Sequence, residues 1–420
     1  MEKIVVEKSP ALKGRVRISG AKNAALPILA ACLLGTEDIY LEEVPDLQDV
    51  NIMCKVLESL GSTVEVTGKG KLKINSANLR EYKTPFELMN KMRASFLVMG
   101  PLLGRLGKTE NSLPGGCTIG ARPIDYHLKG FRALGADIVE DIGNITASCE
   151  KLVGDKIYLD FPSVGATENI MMAAVLAQGE TVIENAAKEP EIVDLSNFLR
   201  KLGAKVTGAG TSTIRIDGVE KLGGARHAII PDRIEAGTFM VAAAITGGDV
   251  LVENVIPNHM KPIIAKLKES GCKVIEEGDN VRVIGKEIPD SIDIKTLPYP
   301  GFPTDMQAQF MAYMTQCKGS NVAIETVFEN RFMHVEEFRK MGADIKIDGR
   351  SAVVVGPKKL TGARVRASDL RAGAALILVG LVAEGKTYIN DIYHIDRGYE
   401  GIEDKFRGLG AKVYRIEEDA

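Results

Sequence analysis

The sequence predicts a mixed α/β protein made of six repeated units. The first observation is a short glycine-centred signature that recurs along all 420 residues. The second is a run of small and apolar residues between successive signatures, and the third is an alternating segment after each signature. A fixed period of this kind indicates one supersecondary unit used repeatedly. The signature glycines lie 74, 68, 68, 71 and 68 residues apart, at Gly61, Gly135, Gly203, Gly271, Gly342 and Gly410.

Each signature ends a predicted amphipathic helix, as residues 192–202 and 335–341 illustrate. Glycine suits this place because it readily adopts the left-handed conformation that closes many helices. Alternating strands follow, and the Asp348-Gly349 pair between residues 345–347 and 352–355 is typical of a hairpin turn. The unit therefore contains an amphipathic helix followed by two strands.

The apolar runs predict a second kind of helix. A helix that is apolar around most of its circumference is buried rather than laid on a surface, so we expect these helices inside and the sheets outside. A strand follows each run, for example at residues 249–253. The runs cover residues 24–35, 94–104, 169–179, 236–247, 306–319 and 372–385.

The two ends of the chain are predicted to share a domain. The last unit stops after residues 413–416 without a returning strand. Residues 12–15 begin in the same way as residues 222–226 and 360–364, which lead into later units. We therefore expect the N-terminal strands to complete the last unit, and an even division gives two domains of three units.

Composition argues against several classes of function. The chain has 53 Lys and Arg against 56 Asp and Glu, so its charge favours neither nucleic acid nor an anionic membrane as a partner. No apolar run reaches the roughly 20 residues that span a bilayer, and no secretory signal is apparent. Six scattered cysteines and five histidines, without ligand spacing, predict neither disulfides nor a metal site and favour a cytoplasmic protein.

Polar residues collect where the buried helices are predicted to begin. Capping explains most of them, because Ser, Thr, Asp and Asn accept hydrogen bonds from the first N–H groups of a helix. A cation at this place opposes the helix dipole and points instead to an anionic ligand. The cations so placed are Lys22, Arg93, Arg233 and Arg371.

Residues 113–123 form a loop rich in glycine and proline around Cys117. A thiol with an ordinary pKa of about 8.5 could act there as a general acid or as a nucleophile, and a lone loop cysteine is often inert. Arg122 favours the thiolate and an incoming anion favours the thiol, so the choice stays open. Arg331 and Arg397 precede amphipathic helices, where they are either solvated or converge with other cations on a multiply charged anion. No P-loop or dinucleotide fingerprint is present.

Eight segments carry longer motifs, namely residues 20–27, 114–123, 163–167, 189–194, 231–235, 302–309, 325–334 and 393–400. Together these segments resemble the enolpyruvyl transferase family, and within it the UDP-N-acetylglucosamine 1-carboxyvinyltransferases. The resemblance implies two inside-out α/β barrel domains, each of three units with buried helices and outer sheets. One domain would comprise residues 1–21 and 231–420, and the other residues 22–230 with the Cys117 loop. The active site would lie in the cleft between the domains.

The resemblance also implies an activity, which is transfer of the enolpyruvyl group of phosphoenolpyruvate to the 3′-hydroxyl of UDP-N-acetylglucosamine, with release of phosphate. This reaction opens peptidoglycan synthesis. Cys117 would protonate C3 of phosphoenolpyruvate and could form a covalent adduct, while Asp305 would take the proton of the attacking hydroxyl. The implied partners are small-molecule substrates, with no cofactor and no metal, and a regulatory protein partner stays open. Cys117 further implies alkylation by fosfomycin.

The remaining implied site residues fall into two groups. Phosphoenolpyruvate would contact Lys22, Asn23, Arg122, Arg331, Arg371 and Arg397. The UDP-sugar would contact Arg93, Arg122, Pro123, Ile124, Asp125, Tyr126, Ser163, Val164, Gly165, Asp305 and Val327. In one departure from the family, this chain has Phe161-Pro162 where some members carry a lysine, so any diphosphate contact of that lysine is lost or replaced.

Two alternatives to this function stay open. A 3-phosphoshikimate 1-carboxyvinyltransferase shares the repeats and phosphoenolpyruvate, but it lacks the Cys117 loop and normally has a Gly-Ser-Lys-Ser type start where Ala21-Lys22-Asn23 stands. A catalytically silent binding or regulatory paralogue should have lost Cys117, Asp305 or the arginines, and this chain retains them all.

Overall fold

A computed structural model gives the structure of residues 2–112 and 124–417. Their helices are α1 (Lys22–Ala31), α2 (Gln48–Ser59), α3 (Phe86–Lys91), α4 (Met99–Leu106), α5 (Asp125–Ala133), α6 (Val164–Ala174), α7 (Pro190–Leu202), α8 (Arg233–Ile245), α9 (Lys261–Glu269), α10 (Gln307–Met314), α11 (His334–Lys340), α12 (Leu370–Val382), α13 (Tyr393–Asp396) and α14 (Ile402–Gly408). Short 3-10 helices span Cys32–Leu34, Arg93–Val98, Pro257–Met260 and Thr304–Met306.

The strands are mostly of three to six residues. They are β1 (Glu2–Glu7), β2 (Lys13–Arg17), β3 (Ile39–Glu42), β4 (Thr63–Gly68), β5 (Lys71–Asn75), β6 (Lys108–Ser112), β7 (Asp137–Asp141), β8 (Asn144–Ser148), β9 (Lys156–Tyr158), β10 (Glu180–Glu184), β11 (Lys205–Thr207), β12 (Thr213–Asp217), β13 (Ala225–Ala228), β14 (Asp249–Glu253), β15 (Lys273–Glu277), β16 (Asn280–Ile284), β17 (Ile294–Lys295), β18 (Gly319–Ile324), β19 (Asp344–Asp348), β20 (Ser351–Gly356), β21 (Arg364–Arg366), β22 (Lys386–Asn390) and β23 (Val413–Glu417).

The described residues divide into two units, here named the split unit and the continuous unit. The split unit contains residues 2–19 and 231–417, and the continuous unit contains residues 20–112 and 124–230. Each unit has its own cluster of buried apolar side chains. Each unit therefore has the separate hydrophobic core expected of a domain.

The split unit contains three four-stranded sheets, with strand orders β21-β22-β1-β23, β15-β16-β14-β2 and β17-β18-β20-β19. Strand β1 lies antiparallel between β22 and β23, with Ile4 opposite both Ile389 and Arg415. Strand β2 runs parallel to β14, with Val16 opposite Val252. The first strands of the chain thus complete two sheets whose other strands come from its second half.

The continuous unit also contains three sheets, with strand orders β11-β12-β10-β9, β13-β3-β5-β4 and β6-β8-β7. Its helices α4 and α6 approach each other closely at Gly100. The Gly100 N–H donates to Asn169 Oδ1 over 2.7 Å, and a Cβ atom at Gly100 would lie 2.2 Å from the Asn169 carbonyl oxygen. Only glycine fits this contact, which holds α6 in place against α4.

The helices formed by the apolar runs lie in the interior of both units. Every residue of α8 from Ile234 to Ile245 is buried, and so is every residue of α12 from Arg371 to Leu381. The predicted order of buried helix, strand, amphipathic helix and hairpin is observed, for example as α8, β14, α9, β15 and β16. The prediction of a mixed α/β fold with internal helices and flanking sheets is confirmed.

Candidate active site

In the split unit, two of the three buried helices begin with an aspartate that acts as an ordinary cap. Asp232 Oδ1 accepts from Ile234 N and Glu235 N at the start of α8, over 2.7 and 3.0 Å. Asp369 Oδ1 accepts from Arg371 N and Ala372 N at the start of α12, over 2.9 and 3.1 Å. Capping therefore accounts for these two carboxylates.

Asp305, which precedes the third buried helix, has different partners. Arg331 Nη2 donates to its Oδ1 over 2.8 Å. Arg371 Nε and Nη2 donate to its Oδ2 over 3.2 and 3.0 Å. The Asp305 side chain is 26% exposed, whereas those of Arg331 and Arg371 are 5% and 2% exposed. The Asp305 side chain is therefore partly accessible to solvent, while the two guanidinium groups lie in the protein.

The charges in this cluster keep Asp305 ionised. Burial raises the pKa of Asp305, but the charges and hydrogen bonds of Arg371 and Arg331 outweigh it and hold that pKa well below its ordinary value. Two cations share one carboxylate, so the cluster carries a net positive charge. A buried surplus of guanidinium charge is suited to binding phosphate or carboxylate groups.

Arg371 also faces Tyr399, whose hydroxyl helps to raise the pKa of the guanidinium group. The Nη1 atom of Arg371 is buried and has no hydrogen-bond partner in the described part of the chain. Its guanidinium lies 5.4 Å from the ring centroid of Tyr399, whose hydroxyl is 3.1 Å from Thr238 Oγ1. Because buried donors in proteins are nearly always satisfied, Nη1 marks a place where a ligand oxygen would be stabilised.

Val327 and Arg397 also belong to the split unit. Val327 is half-buried in the segment after β18, and its N–H donates to Glu325 Oε1 over 2.8 Å. Arg397 is half-buried and directly follows α13. Burial lowers the pKa of the neighbouring His394, and the positive charge of Arg397 lowers it further. Of the predicted site residues in the split unit, Asp305, Arg331 and Arg371 are in direct contact.

The continuous unit contributes a second charged pair. Lys22 is the first residue of α1, and its Nζ donates to Asp49 Oδ2 over 3.2 Å. The Lys22 and Asp49 side chains are only 9% and 3% exposed, and Asp49 lies in the first turn of α2. The neighbouring Asn23 is half-buried. A buried ammonium at a helix N-terminus is unfavourable by itself, so Asp49 supplies the charge that stabilises it.

The start of α6 lies beside α5 in the same unit. Ser163 caps α6 by accepting from Ala166 N over 3.4 Å, and Val164 and Gly165 form its first turn. A Cβ atom at Gly165 would lie 3.3 Å from His127 Cε1 of α5, and His127 Nδ1 is 3.0 Å from Asn169 Nδ2. The structure thus places Gly165, in the first turn of α6, beside His127, which follows Asp125 and Tyr126 at the start of α5.

The position that departs from the family pattern is occupied by an exposed aromatic residue. Phe161 is 40% exposed. Asp160 directly before it forms an ion pair of 2.9 Å with Lys129 of α5. An exposed aromatic ring therefore occupies this position, and the charges of Asp160 and Lys129 beside it balance each other.

Three predicted residues, Cys117, Arg122 and Pro123, lie outside the described residues. Arg93 begins a 3-10 helix, and its side chain is likewise outside what the structure describes. The five cysteines within the described chain are buried or partly buried. Burial raises the pKa of several of these thiols, to about 11 for Cys54, which fits the interpretation that they are inert.

Three polar side chains that hold the predicted residues were not predicted from the sequence. Asp49 accepts a hydrogen bond from Lys22, Thr304 accepts one from Arg331, and Glu325 accepts one from the Val327 N–H group. Thr304 and Glu325 lie inside segments 302–309 and 325–334, so the motifs contained a signal for them. For Asp49 the sequence held no signal except that an acidic residue is common near the start of a helix.

The described residues contain no group of three or more His, Cys, Asp or Glu side chains placed to hold a metal ion. Within the same residues, no helix combines the length and the apolar character needed to cross a membrane.

Comparison with known proteins gives consistent results. A sequence model of the EPSP synthase (3-phosphoshikimate 1-carboxyvinyltransferase) family matches residues 6–406. The chain is 64% identical to UDP-N-acetylglucosamine 1-carboxyvinyltransferase 1 of Caldanaerobacter subterraneus, over 98% of this chain and 99% of that protein. It is 66% identical to the UDP-N-acetylglucosamine 1-carboxyvinyltransferase of Finegoldia magna, over 99% of both chains.

Solved structures share the fold at lower sequence identity. The enolpyruvyl transferase NikO from Streptomyces tendae superposes with a TM-score of 0.90 at 22% identity, over 99% of both chains. An EPSP synthase from Acinetobacter baumannii gives a TM-score of 0.77 at 18% identity, over 99% of this chain and 100% of that one.

Proposed function

The chain belongs to the EPSP synthase family, and we propose that it transfers the enolpyruvyl group of phosphoenolpyruvate to the 3′-hydroxyl of UDP-N-acetylglucosamine, releasing phosphate. The reaction would open peptidoglycan synthesis in the cytoplasm. The observation that carries this proposal is Asp305, an ionised and partly exposed carboxylate held by Arg331 and Arg371. It combines the proton acceptor and the surplus positive charge that this reaction needs.

The proposed reaction is an addition followed by an elimination. The acceptor hydroxyl oxygen forms a bond to C2 of phosphoenolpyruvate, its proton passes to Asp305, and Cys117 delivers a proton to C3. The resulting intermediate carries the phosphate and the sugar on the same carbon. Elimination then breaks the bond from C2 to the phosphate oxygen, the Cys117 thiolate takes a proton back from C3, and the double bond forms again as Asp305 gives its proton to the departing phosphate. Every step is a proton transfer or a change of a C–O bond, so no redox cofactor takes part.

Asp305 gains basicity when the substrate binds. With both arginines bound to it, the carboxylate is a weak base, because its pKa is well below the ordinary value. The phosphate and carboxylate groups of phosphoenolpyruvate compete for the same guanidinium N–H groups. As Arg371 turns to the substrate, the pKa of Asp305 rises and the carboxylate can accept the hydroxyl proton, while Arg331 keeps the carboxylate oriented.

The proposed phosphoenolpyruvate contacts come from both units. In the split unit, Arg331, Arg371 and Arg397 supply positive charge, and Arg371 Nη1 is a buried donor ready for a substrate oxygen. In the continuous unit, Lys22 supplies a fourth cation and Asn23 an amide. Arg122 is the remaining proposed contact. Together these cations would offset the phosphate and carboxylate charges of the substrate.

The proposed UDP-sugar contacts lie mainly at the two adjacent helix starts of the continuous unit. The first turn of α6 offers backbone N–H groups, which suit a diphosphate. Tyr126 offers an aromatic face for an apolar or planar part of the substrate. The full proposed set is Arg93, Arg122, Pro123, Ile124, Asp125, Tyr126, Ser163, Val164, Gly165, Asp305 and Val327.

Phosphate release from phosphoenolpyruvate tests the proposal. The assay compares UDP-N-acetylglucosamine with shikimate 3-phosphate as acceptor, for the wild type and for Cys117→Ala. The matched control is Cys54→Ala, because Cys54 is partly buried with a raised pKa and has no proposed role. We expect turnover with the UDP-sugar only, lost in Cys117→Ala and kept in Cys54→Ala. Turnover with shikimate 3-phosphate alone would assign the sister activity, and full activity in Cys117→Ala would remove the acid role.

A further inference from the structure

Glu325 is a buried carboxylate that joins two parts of the split unit. It directly follows β18 and is 1% exposed. Its Oε1 accepts from Thr296 Oγ1 over 2.8 Å, from Val327 N over 2.8 Å and from Phe328 N over 3.1 Å. Its Oε2 accepts from Thr304 Oγ1 over 2.9 Å. The carboxylate is thus fully hydrogen-bonded, and all of its donors in the described residues are neutral.

The Thr304 hydroxyl extends this network to Asp305. A hydroxyl has one hydrogen to donate, and a carboxylate can only accept, so Thr304 donates to Glu325. The Thr304 oxygen is then oriented to accept from Arg331 Nη1, which lies 3.0 Å away. The other terminal nitrogen of Arg331 donates to Asp305 Oδ1 over 2.8 Å. A continuous series of hydrogen bonds therefore runs from Glu325 through Thr304 and Arg331 to Asp305.

We propose that Glu325 is a positioning residue for the transfer reaction, holding Arg331 against Asp305 through Thr304 and fixing the Val327 segment through two backbone N–H groups. The proposal rests on the function proposed above, because it assumes that Asp305 accepts the proton and that Val327 contacts the UDP-sugar. Glu325 touches no substrate in this account. It acts by fixing, through the Thr304 oxygen, the orientation of the guanidinium group that donates to Asp305.

A purely structural role for Glu325 makes a different prediction. In that case Glu325 only closes the turn at residues 325–328, and Thr304 contributes shape rather than its hydroxyl. Valine keeps the shape of threonine without the hydroxyl, whereas serine keeps the hydroxyl without the methyl group. Substitutions of Thr304 therefore separate the two roles.

The decisive measurement is kcat for Thr304→Ser and Thr304→Val. We expect Thr304→Ser to stay within about twofold of the wild type and Thr304→Val to lose about tenfold, the effect of one lost hydrogen bond to a charged group. The matched control is Thr387→Val, because the Thr387 hydroxyl is buried without a partner among the described residues. It should keep the wild-type kcat. A functional Thr304→Val beside an impaired Thr304→Ser would overturn the proposal in favour of packing.

Glu325→Gln then tests whether the effect starts at Glu325. Because Glu325 also fixes the Val327 segment, this variant should lower kcat and raise the KM for UDP-N-acetylglucosamine, whereas Thr304→Val should lower kcat alone. The double variant should have a kcat close to that of Glu325→Gln, because both changes interrupt one series of hydrogen bonds. The positioning role would be contradicted if the kcat losses of the two single variants multiplied in the double variant. An unchanged KM for UDP-N-acetylglucosamine in Glu325→Gln would contradict it as well.

The failure of this inference is distinguishable from the failure of the proposed function. A wild-type protein without turnover of phosphoenolpyruvate and UDP-N-acetylglucosamine would remove the function itself. A wild-type protein that turns over these substrates, with Thr304→Val and Glu325→Gln equal to it, would leave the function in place and remove only the role of Glu325.

Discussion

Arg371 donates from both Nε and Nη2 to the same oxygen of Asp305, over 3.2 and 3.0 Å. The arginine is 2% exposed and the carboxylate is 26% exposed, so the buried partner stabilises the charge of the accessible one. Arg331 performs the same function for the second oxygen. This arrangement makes Asp305 both the centre of a three-residue ion-pair cluster and the proposed proton acceptor.

Asp305→Asn tests the proposed proton acceptor. Asparagine keeps the size of the side chain and an oxygen for the arginines, but it cannot take a proton from the acceptor hydroxyl. We expect kcat to fall by about 10²–10⁴-fold, the usual contribution of a general base. The control is Asp249→Asn, which removes a carboxylate from an exposed pair with Arg282 in the same unit and should keep full activity. Wild-type turnover in Asp305→Asn would exclude the base role.

The same variant predicts a change in the pH dependence of stability. The pKa of Asp305 is lowered on folding, so its ion pairs stabilise the protein above the unfolded value of about 3.9 and lose this effect as the pH falls further. Asp305→Asn should therefore lower the free energy of unfolding by about 3 kcal/mol at pH 7, the effect of breaking a buried pair. Chemical denaturation should show this difference shrinking below about pH 4. A difference that is constant with pH would indicate a packing effect instead.

Lys22 and Asp49 provide a way to separate stability from activity. Lys22→Met leaves Asp49 without this buried cation, so we expect a loss of about 3 kcal/mol in the free energy of unfolding. Lys22→Met/Asp49→Asn should recover most of that loss, because no charge of the pair remains buried alone. Both variants should have a strongly raised KM for phosphoenolpyruvate. A double variant that recovers the wild-type KM together with its stability would show that Lys22 serves the fold only.

His334 predicts a loss of stability in mild acid. It is 2% exposed at the start of α11, and burial lowers its pKa to about 4, with Asp369 opposing and Arg331 assisting this shift. Folding favours the neutral ring. The contribution of His334 to the free energy of unfolding is therefore complete above pH 6.5 and is lost as the pH falls towards 4. The free energy of unfolding should decrease by about 3 kcal/mol over this range.

A pair of variants assigns this effect to His334. His334→Gln should remove most of the decrease in the free energy of unfolding between pH 6.5 and 4.5. His394→Gln should leave most of it, because His394 is only half-buried, although burial and Arg397 lower its pKa too. An equal slope in wild type and His334→Gln would show that the acid sensitivity arises elsewhere.

The buried helices could be predicted from sequence because their cause is local. Residues 236–247 and 372–385 are apolar on every side, and a helix of that kind has only one stable environment. The glycine signatures are equally local, since a helix end depends on the conformation of one or two residues. These features recur in all six units, so each repeat supports the interpretation of the others.

The partners of the charged residues could not be predicted, because they are distant in sequence. Asp305 pairs with Arg331 and Arg371, which lie 26 and 66 positions away. From the sequence we expect Arg371 and Lys22 to serve an anionic ligand, and in the structure the carboxylates of Asp305 and Asp49 lie beside them. Sequence position alone could not distinguish Asp305 from the caps Asp232 and Asp369, because all three precede a buried helix.

Enolpyruvyl transfer changes the mass of the acceptor, so the decisive measurement is the mass of the product formed from the purified protein, phosphoenolpyruvate and UDP-N-acetylglucosamine. We predict that the UDP-sugar gains one enolpyruvyl group and that one phosphate is released for each product formed. The Asp305→Asn protein should form this product far more slowly under the same conditions. An unmodified UDP-sugar, or an enolpyruvyl group found only on shikimate 3-phosphate when both acceptors are present, would contradict the account.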